Sequence, residues 1–149
     1  MSLNQFNNQL GYGQFCLDAE STASISVANT WTAVSLSYED EESWQYNTQL
    51  DRGNIVLDIK GIWKIDATFT VQGATNDNMS LTIDDSNGAK LPELKWNQRG
   101  GNNWCINYST IFNWQPAGAF TPVLFYVKNE DDTNNLTIKK GIIVCTKLY

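Results

Sequence analysis

The stretch Gly61-Ile62-Trp63-Lys64-Ile65-Asp66-Ala67-Thr68-Phe69-Thr70-Val71-Gln72 decides the fold. Trp63, Ile65, Ala67, Phe69 and Val71 fall on one side of an extended chain. Lys64, Asp66, Thr68, Thr70 and Gln72 fall on the other, with Ile62 the one apolar intruder. A two-residue period of this kind belongs to a strand with one buried face. Slipping the register by one residue would exchange the faces completely, so the pairing is strongly specified. The same period recurs outward in both directions. Residues 78–85 place Met79, Leu81 and Ile83 inward and end in the turn signal Asp85-Ser86-Asn87-Gly88. Residues 120–128 align Val123, Phe125 and Val127. Residues 136–148 align Leu136, Ile138, Ile142, Val144 and Leu148 on even positions, interrupted by Lys140. Further strands are expected over residues 12–18, 25–34, 54–59, 90–96 and 104–114.

Composition agrees with the pattern. Val, Ile, Thr, Tyr, Phe and Trp supply 49 of the 149 residues, and asparagine supplies 17. Branched and aromatic side chains suit a half-buried pleated surface, while asparagine suits the turns between strands. No helical period runs beyond about two turns. Eight to ten strands separated by Asn- and Gly-rich turns predict an all-β antiparallel sandwich of jelly-roll type. Residues 1–11 read as a leader or N-terminal arm and residues 12–149 as a single domain, with no repeat or linker dividing it.

Charge and chemistry narrow the function. Sixteen acidic residues against ten basic ones give a net charge of −6, which argues against nucleic acid or an anionic membrane as partner. No apolar run is long enough to insert across a bilayer. The run Glu39-Asp40-Glu41-Glu42 lacks the alternating ligands and glycine of a calcium loop and reads as a solvated face. Histidine is absent, which removes imidazole bases, Ser-His-Asp triads and HExxH zinc sites together. Cys16, Cys105 and Cys145 form no CxxC pair; the reading is three reduced thiols, each a small buried hydrophobe. Asp66, Asp84, Asp85 and Glu93 could pair as acid and base across strands, but Asp84 and Asp85 read as ordinary turn residues and Asp66 as an exposed carboxylate on a polar face. The expectation is a protein without catalysis, cofactor or metal.

Three short motifs, in order, carry a family resemblance: Gly61-Ile62-Trp63-Lys64-Ile65 opening a strand, Val127-Lys128-Asn129 ending one, and Gly141-Ile142-Ile143 leading into the last. From about Tyr12 to Tyr149 the chain resembles the tumour-necrosis-factor and complement-globular-head jelly roll, in the form found on bacteriophage virion and tail-fibre proteins. The resemblance implies a homotrimer whose closing strands meet near a threefold axis, with contacts expected at Phe125, Ile143, Cys145, Leu148 and Tyr149. It implies a place on a virion surface after synthesis in a bacterial cytoplasm, with an extracellular cytokine- or lectin-like domain as the alternative, and a monomeric carbohydrate-binding sandwich as a third reading. Partners would be further copies of itself, other virion proteins or a host-surface glycan. Six tryptophans exceed what a sandwich of this size needs. Trp31 and Trp63 are expected in packing. Trp44, Trp96, Trp104 and Trp114, beside polar or Gly/Asn-rich segments, are the candidate ligand contacts, since a flat apolar ring next to Asn, Gln and Asp is what a sugar needs.

Overall fold

The computed structural model describes residues 10–37, 45–85, 87–99, 103–118 and 121–149, and every regular element among them is a strand. In chain order these are β1 (Tyr12–Leu17), β2 (Ser21–Ala23), β3 (Thr32–Val34), β4 (Gln45–Tyr46), β5 (Thr48–Asp51), β6 (Asn54–Leu57), β7 (Gly61–Gln72), β8 (Asn78–Ile83), β9 (Leu94–Asn97), β10 (Trp104–Trp114), β11 (Pro122–Val123), β12 (Phe125–Asn129) and β13 (Leu136–Lys147). One layer is a six-stranded sheet ordered β10-β7-β13-β1-β4, with β2 also on β13. Against it lie a four-stranded sheet, β3-β12-β8-β9, and a three-stranded one, β11-β6-β5.

The stretch that opened the sequence reading is the spine of the larger sheet. β10 pairs with β7 along its whole length, from Trp104 opposite Val71 to Trp114 opposite Gly61, and β13 pairs along the other side. Trp63, Ile65, Ala67, Phe69 and Val71 are all fully buried, as their alternation requires. Across the layers, Phe69 meets the edge of the Phe125 ring at 5.5 Å, an arrangement that aromatic quadrupoles favour. Met79, Leu81 and Ile83 close the core from β8.

Two expected strands are broken for identifiable reasons. Within residues 120–128 the chain changes sheets at Leu124: β11 pairs with β6, whereas β12 pairs with β8 and β3. Within residues 25–34 only β3 is extended. Asn29 takes a left-handed φ of 55° and donates its N–H to the Asn129 carbonyl instead of to a ladder. β4 and β5 carry no apolar alternation and had no sequence signal.

The last strand corrects the expected facing. Leu136 and Ile138 point inward, but the register shifts between Ile138 and Lys140, leaving Lys139 as an extra residue in a β-bulge. Beyond the bulge the parity reverses. Ile143 and Cys145 enter the core, while Ile142 is 46% exposed and Val144 half-buried. Gly141 sits at the reversal because nothing larger fits. A Cβ there would lie 2.5 Å from the Phe69 ring and 2.7 Å from the Thr68 carbonyl oxygen. At the opposite end of β7, Gly61 has φ +149° and a Cβ would collide with the Tyr149 carbonyl oxygen. The Ile62 N–H donates to that same oxygen at 3.0 Å and Ile62 accepts from the Leu148 N–H at 2.7 Å, so the chain terminus is tied to the spine.

At the far end, fully buried Asn129 of the Val127-Lys128-Asn129 motif joins the β7–β8 and β12–β13 loops. Its side-chain amide donates to Asp77 at 2.7 Å and to the Asn134 carbonyl at 3.2 Å, and its oxygen accepts from the N–H groups of Asp131 and Asp132, each at 3.0 Å. Every polar atom of this buried side chain is thereby satisfied.

Gly141→Ala should lower stability by about 1–3 kcal/mol, the usual cost of overpacking a tight site. The check is a shift in urea midpoint with unchanged slope at fixed chain concentration.

Candidate interaction surface

The sandwich presents two outer faces of different chemistry. On the four-stranded sheet every lysine is paired. Lys90 lies 2.6 Å from Asp84 and 3.9 Å from the centre of the Tyr126 ring. Lys128 lies 4.6 Å from the Trp31 ring centre and 3.8 Å from Glu93. Lys95 bridges Glu93 at 3.1 Å and Glu130 at 3.0 Å, and the Ser80 hydroxyl donates to Glu130. Burial, then the neighbouring Asp84 carboxylate, pushes the Tyr126 phenol up. The hydrogen bond from Lys95 holds the Glu130 carboxyl below its ordinary range. Cations over aromatic rings cover those rings and leave little apolar surface for a partner.

The outer face of the six-stranded sheet is the reverse. Register places Tyr46, Tyr12, Thr146, Lys64 and Ile111 in one cross-strand row, and Cys16, Ile142, Thr68 and Asn107 in another. Tyr46, Ile111 and Ile142 are exposed, as are Leu10, Leu148 and Tyr149 beside the tied terminus. Between them lie Thr68, which donates to Asn107 at 3.0 Å, and an ion pair of Lys64 with Asp66 at 3.4 Å, to which Ser109 donates at 2.6 Å. An open depression of about 300 Å³ is lined by Leu17, Thr68, Thr70, Lys140, Gly141 and Ile142.

No family model and no curated protein matches the sequence. Solved structures do. The PRD1 vertex protein P5 superimposes with a TM-score of 0.63 over 94% of this chain and 96% of its own, at 14% identity. The globular domain of zebrafish complement 1qA protein gives 0.60 over 94% and 98%, at 9% identity. Murine APRIL gives 0.60 over 93% and 99%, at 8% identity. The fold is the TNF-like jelly roll. At identities this low the likeness establishes the architecture alone.

Within this jelly roll the residues singled out from the sequence separate sharply. Phe125, Ile143 and Cys145 are enclosed in the core of a single chain, so their side chains offer nothing to a neighbouring copy; the reversed parity of β13 put two of them there. Leu148 and Tyr149 are exposed, Tyr149 by 77%. Trp114 is also core, its ring fully buried against Phe112 with the indole N–H donated to the Leu57 carbonyl, which removes it as a ligand contact. Trp96 is half-buried and donates to Gln98. Trp104, 39% exposed at the start of β10, keeps an accessible ring. Trp44 lies outside the described residues. The thiols also divide: Cys145 is buried, but Cys16 and Cys105 are exposed on the outer face of the larger sheet, contrary to the buried role expected for all three. Burial, then the Asp66 charge, pushes the Cys145 thiol up. Tyr46 and Ile111 were the residues missed. Tyr46 had no strand assigned to it, and in Ile111 the exposed parity of β10 was the available signal.

Two measurements follow. Trp114→Ala should cost about 3–5 kcal/mol of stability, and Trp104→Ala should stay within about 1 kcal/mol. Among the thiols, Cys145 should resist alkylation by orders of magnitude relative to Cys105 until the chain is unfolded, because only a thiolate reacts and burial suppresses it.

Proposed function

We propose that the chain is a non-enzymatic jelly-roll module that assembles as a homotrimer and serves on the surface of a bacteriophage or prophage particle, in host recognition or particle assembly. The observation that carries this reading is the unequal pair of outer faces. The charged face is internally paired; the face of the six-stranded sheet leaves Tyr46, Ile111, Ile142 and Leu148 exposed. Apolar side chains gathered on one sheet face mark an interaction site more than solitary ones do.

The edge of that sheet supports the same conclusion. Among the described residues β10 is its terminal strand and pairs only with β7, and it reads Trp-Cys-Ile-Asn-Tyr-Ser-Thr-Ile-Phe-Asn-Trp, with no charge, proline or glycine. Proteins that leave a long edge in water usually blunt it with such residues, and β10 has none. A ring of copies, each setting its uncharged edge toward the apolar face of the next, covers both features and closes without loose ends.

Chemistry on the four candidate acid–base carboxylates is disfavoured because each is occupied structurally. Asp66 holds Lys64 and Ser109, Asp84 holds Lys90, Glu93 holds Lys95 and Lys128, and Asp85 accepts from the N–H groups of Asn87 and Ala89. The vertex protein among the structural neighbours supports the virion placement. The extracellular alternative draws on the complement and APRIL domains, but two exposed unpaired thiols suit a chain folded in a reducing cytosol better than one matured in an oxidising compartment. Glycan contact in this reading falls to Trp104 and Trp96, the two candidate rings that retain some exposure among the described residues.

Light scattering should give three times the chain mass at micromolar concentration. Ile142→Asp should yield single chains that keep the β-sheet circular dichroism, because position 142 is outside the core. A wild-type protein that stays monomeric at every accessible concentration would remove the trimer, and unchanged glycan binding in Trp104→Ala would remove the assigned contact.

A further inference from the structure

We propose that Asn87 is a site of spontaneous deamidation, a built-in chemical modification at the tip of the β8–β9 connection. Of the 17 asparagines, Asn87 alone is followed by glycine. That matters because the reaction is an attack by the next residue's backbone nitrogen on the side-chain carbonyl carbon, and any Cβ on the attacking residue obstructs it. Asn87 and Gly88 are both exposed. Nothing lies within 4 Å of where a Gly88 Cβ would stand, so the turn can reshape into a five-membered ring without displacing a neighbour.

The surrounding hydrogen bonds leave the attacking group the least restrained. Asp85 Oδ1 accepts from the Asn87 N–H at 2.8 Å and from the Ala89 N–H at 2.9 Å. Among the described residues the Gly88 N–H between them is held only by the Asp85 carbonyl at 3.2 Å, the long limit of an N–H···O bond. Loss of its proton to water or hydroxide therefore breaks one weak bond.

The step balances without any redox partner. The Gly88 nitrogen forms a bond to Asn87 Cγ, the Cγ–Nδ2 bond breaks, and Nδ2 leaves with a proton as ammonia, closing a succinimide. Water then opens the ring. Cleavage at Cγ gives aspartate; cleavage at the backbone carbonyl gives isoaspartate, whose main chain has gained a methylene. Either product adds a negative charge beside Asp84 and Asp85. The isoaspartate product also breaks the turn bond from Gly88 to Asp85 and strains the Asp84–Lys90 bridge behind it.

The test incubates the folded chain at mildly alkaline pH, with a synthetic peptide spanning residues 84–90 beside it. Peptide mapping reads amide-to-acid conversion, and an isoaspartyl methyltransferase reads the rearranged product. Conversion at Asn87 within an order of magnitude of the peptide rate, before any other asparagine and absent from Asn87→Gln, is the expected result. Slower conversion than that, or an earlier reaction at another asparagine, overturns the proposal. Circular dichroism during the incubation keeps an unfolded sample from counting as support.

Discussion

The structure depends on β7 being paired along nearly its whole length on both sides. With β10 on one flank and β13 on the other, its backbone groups are spent in two ladders, and its five inward side chains have no exposure at all. That arrangement leaves no freedom of register, since a one-residue slip would bury Lys64 and Asp66 and wet Trp63 and Phe69. The other layer then packs onto a surface that is already fixed. Phe125 meets Phe69, and Trp63 anchors the terminus end of the core, its indole N–H donated to the Ile59 carbonyl.

The bulge at Lys139 turns that rigid spine into a surface with two roles. Without it, Ile142 and Val144 would continue the inward row begun by Leu136 and Ile138, and Ile143 and Cys145 would face outward. With it, one strand supplies core at both ends and an apolar outer patch in the middle. The bulged residue is itself tethered, Lys139 pairing with Glu20. Gly141 lets the Phe69 ring pass beneath the strand. The apolar outer face thus arises from a local packing device, and the paired charges on the opposite face give the molecule a direction in which to associate.

The two ends of the sandwich are held differently. One end is closed by main-chain bonds between the final residues and Ile62. The other is closed by side chains, with Asn129 joining Asp77 to Asp131 and Asn134 of the loop after β12. A buried amide that fixes two loops is specific because each of its atoms has a fixed partner; replacing it with an apolar residue would orphan the backbone N–H groups of both Asp131 and Asp132.

By itself the sequence determined the all-β class, the positions of β7, β8 and β10, and which faces of β7 and β8 are buried, because a two-residue period is a local property of the chain. It also placed the family's fold through Gly61-Ile62-Trp63-Lys64-Ile65. Only the tertiary structure decided that Trp114, Phe125, Ile143 and Cys145 are core and that Tyr46, Ile111, Ile142, Cys16 and Cys105 look outward. A bulge is set by the pairing of two strands some seventy residues apart in sequence, and burial of a tryptophan by what the other layer brings over it. Neither leaves a mark in the alternation of the strand that carries it. Short polar strands such as β4 and β5 were invisible for the same reason: they are extended because a neighbour supplies the ladder, not because their side chains ask for it.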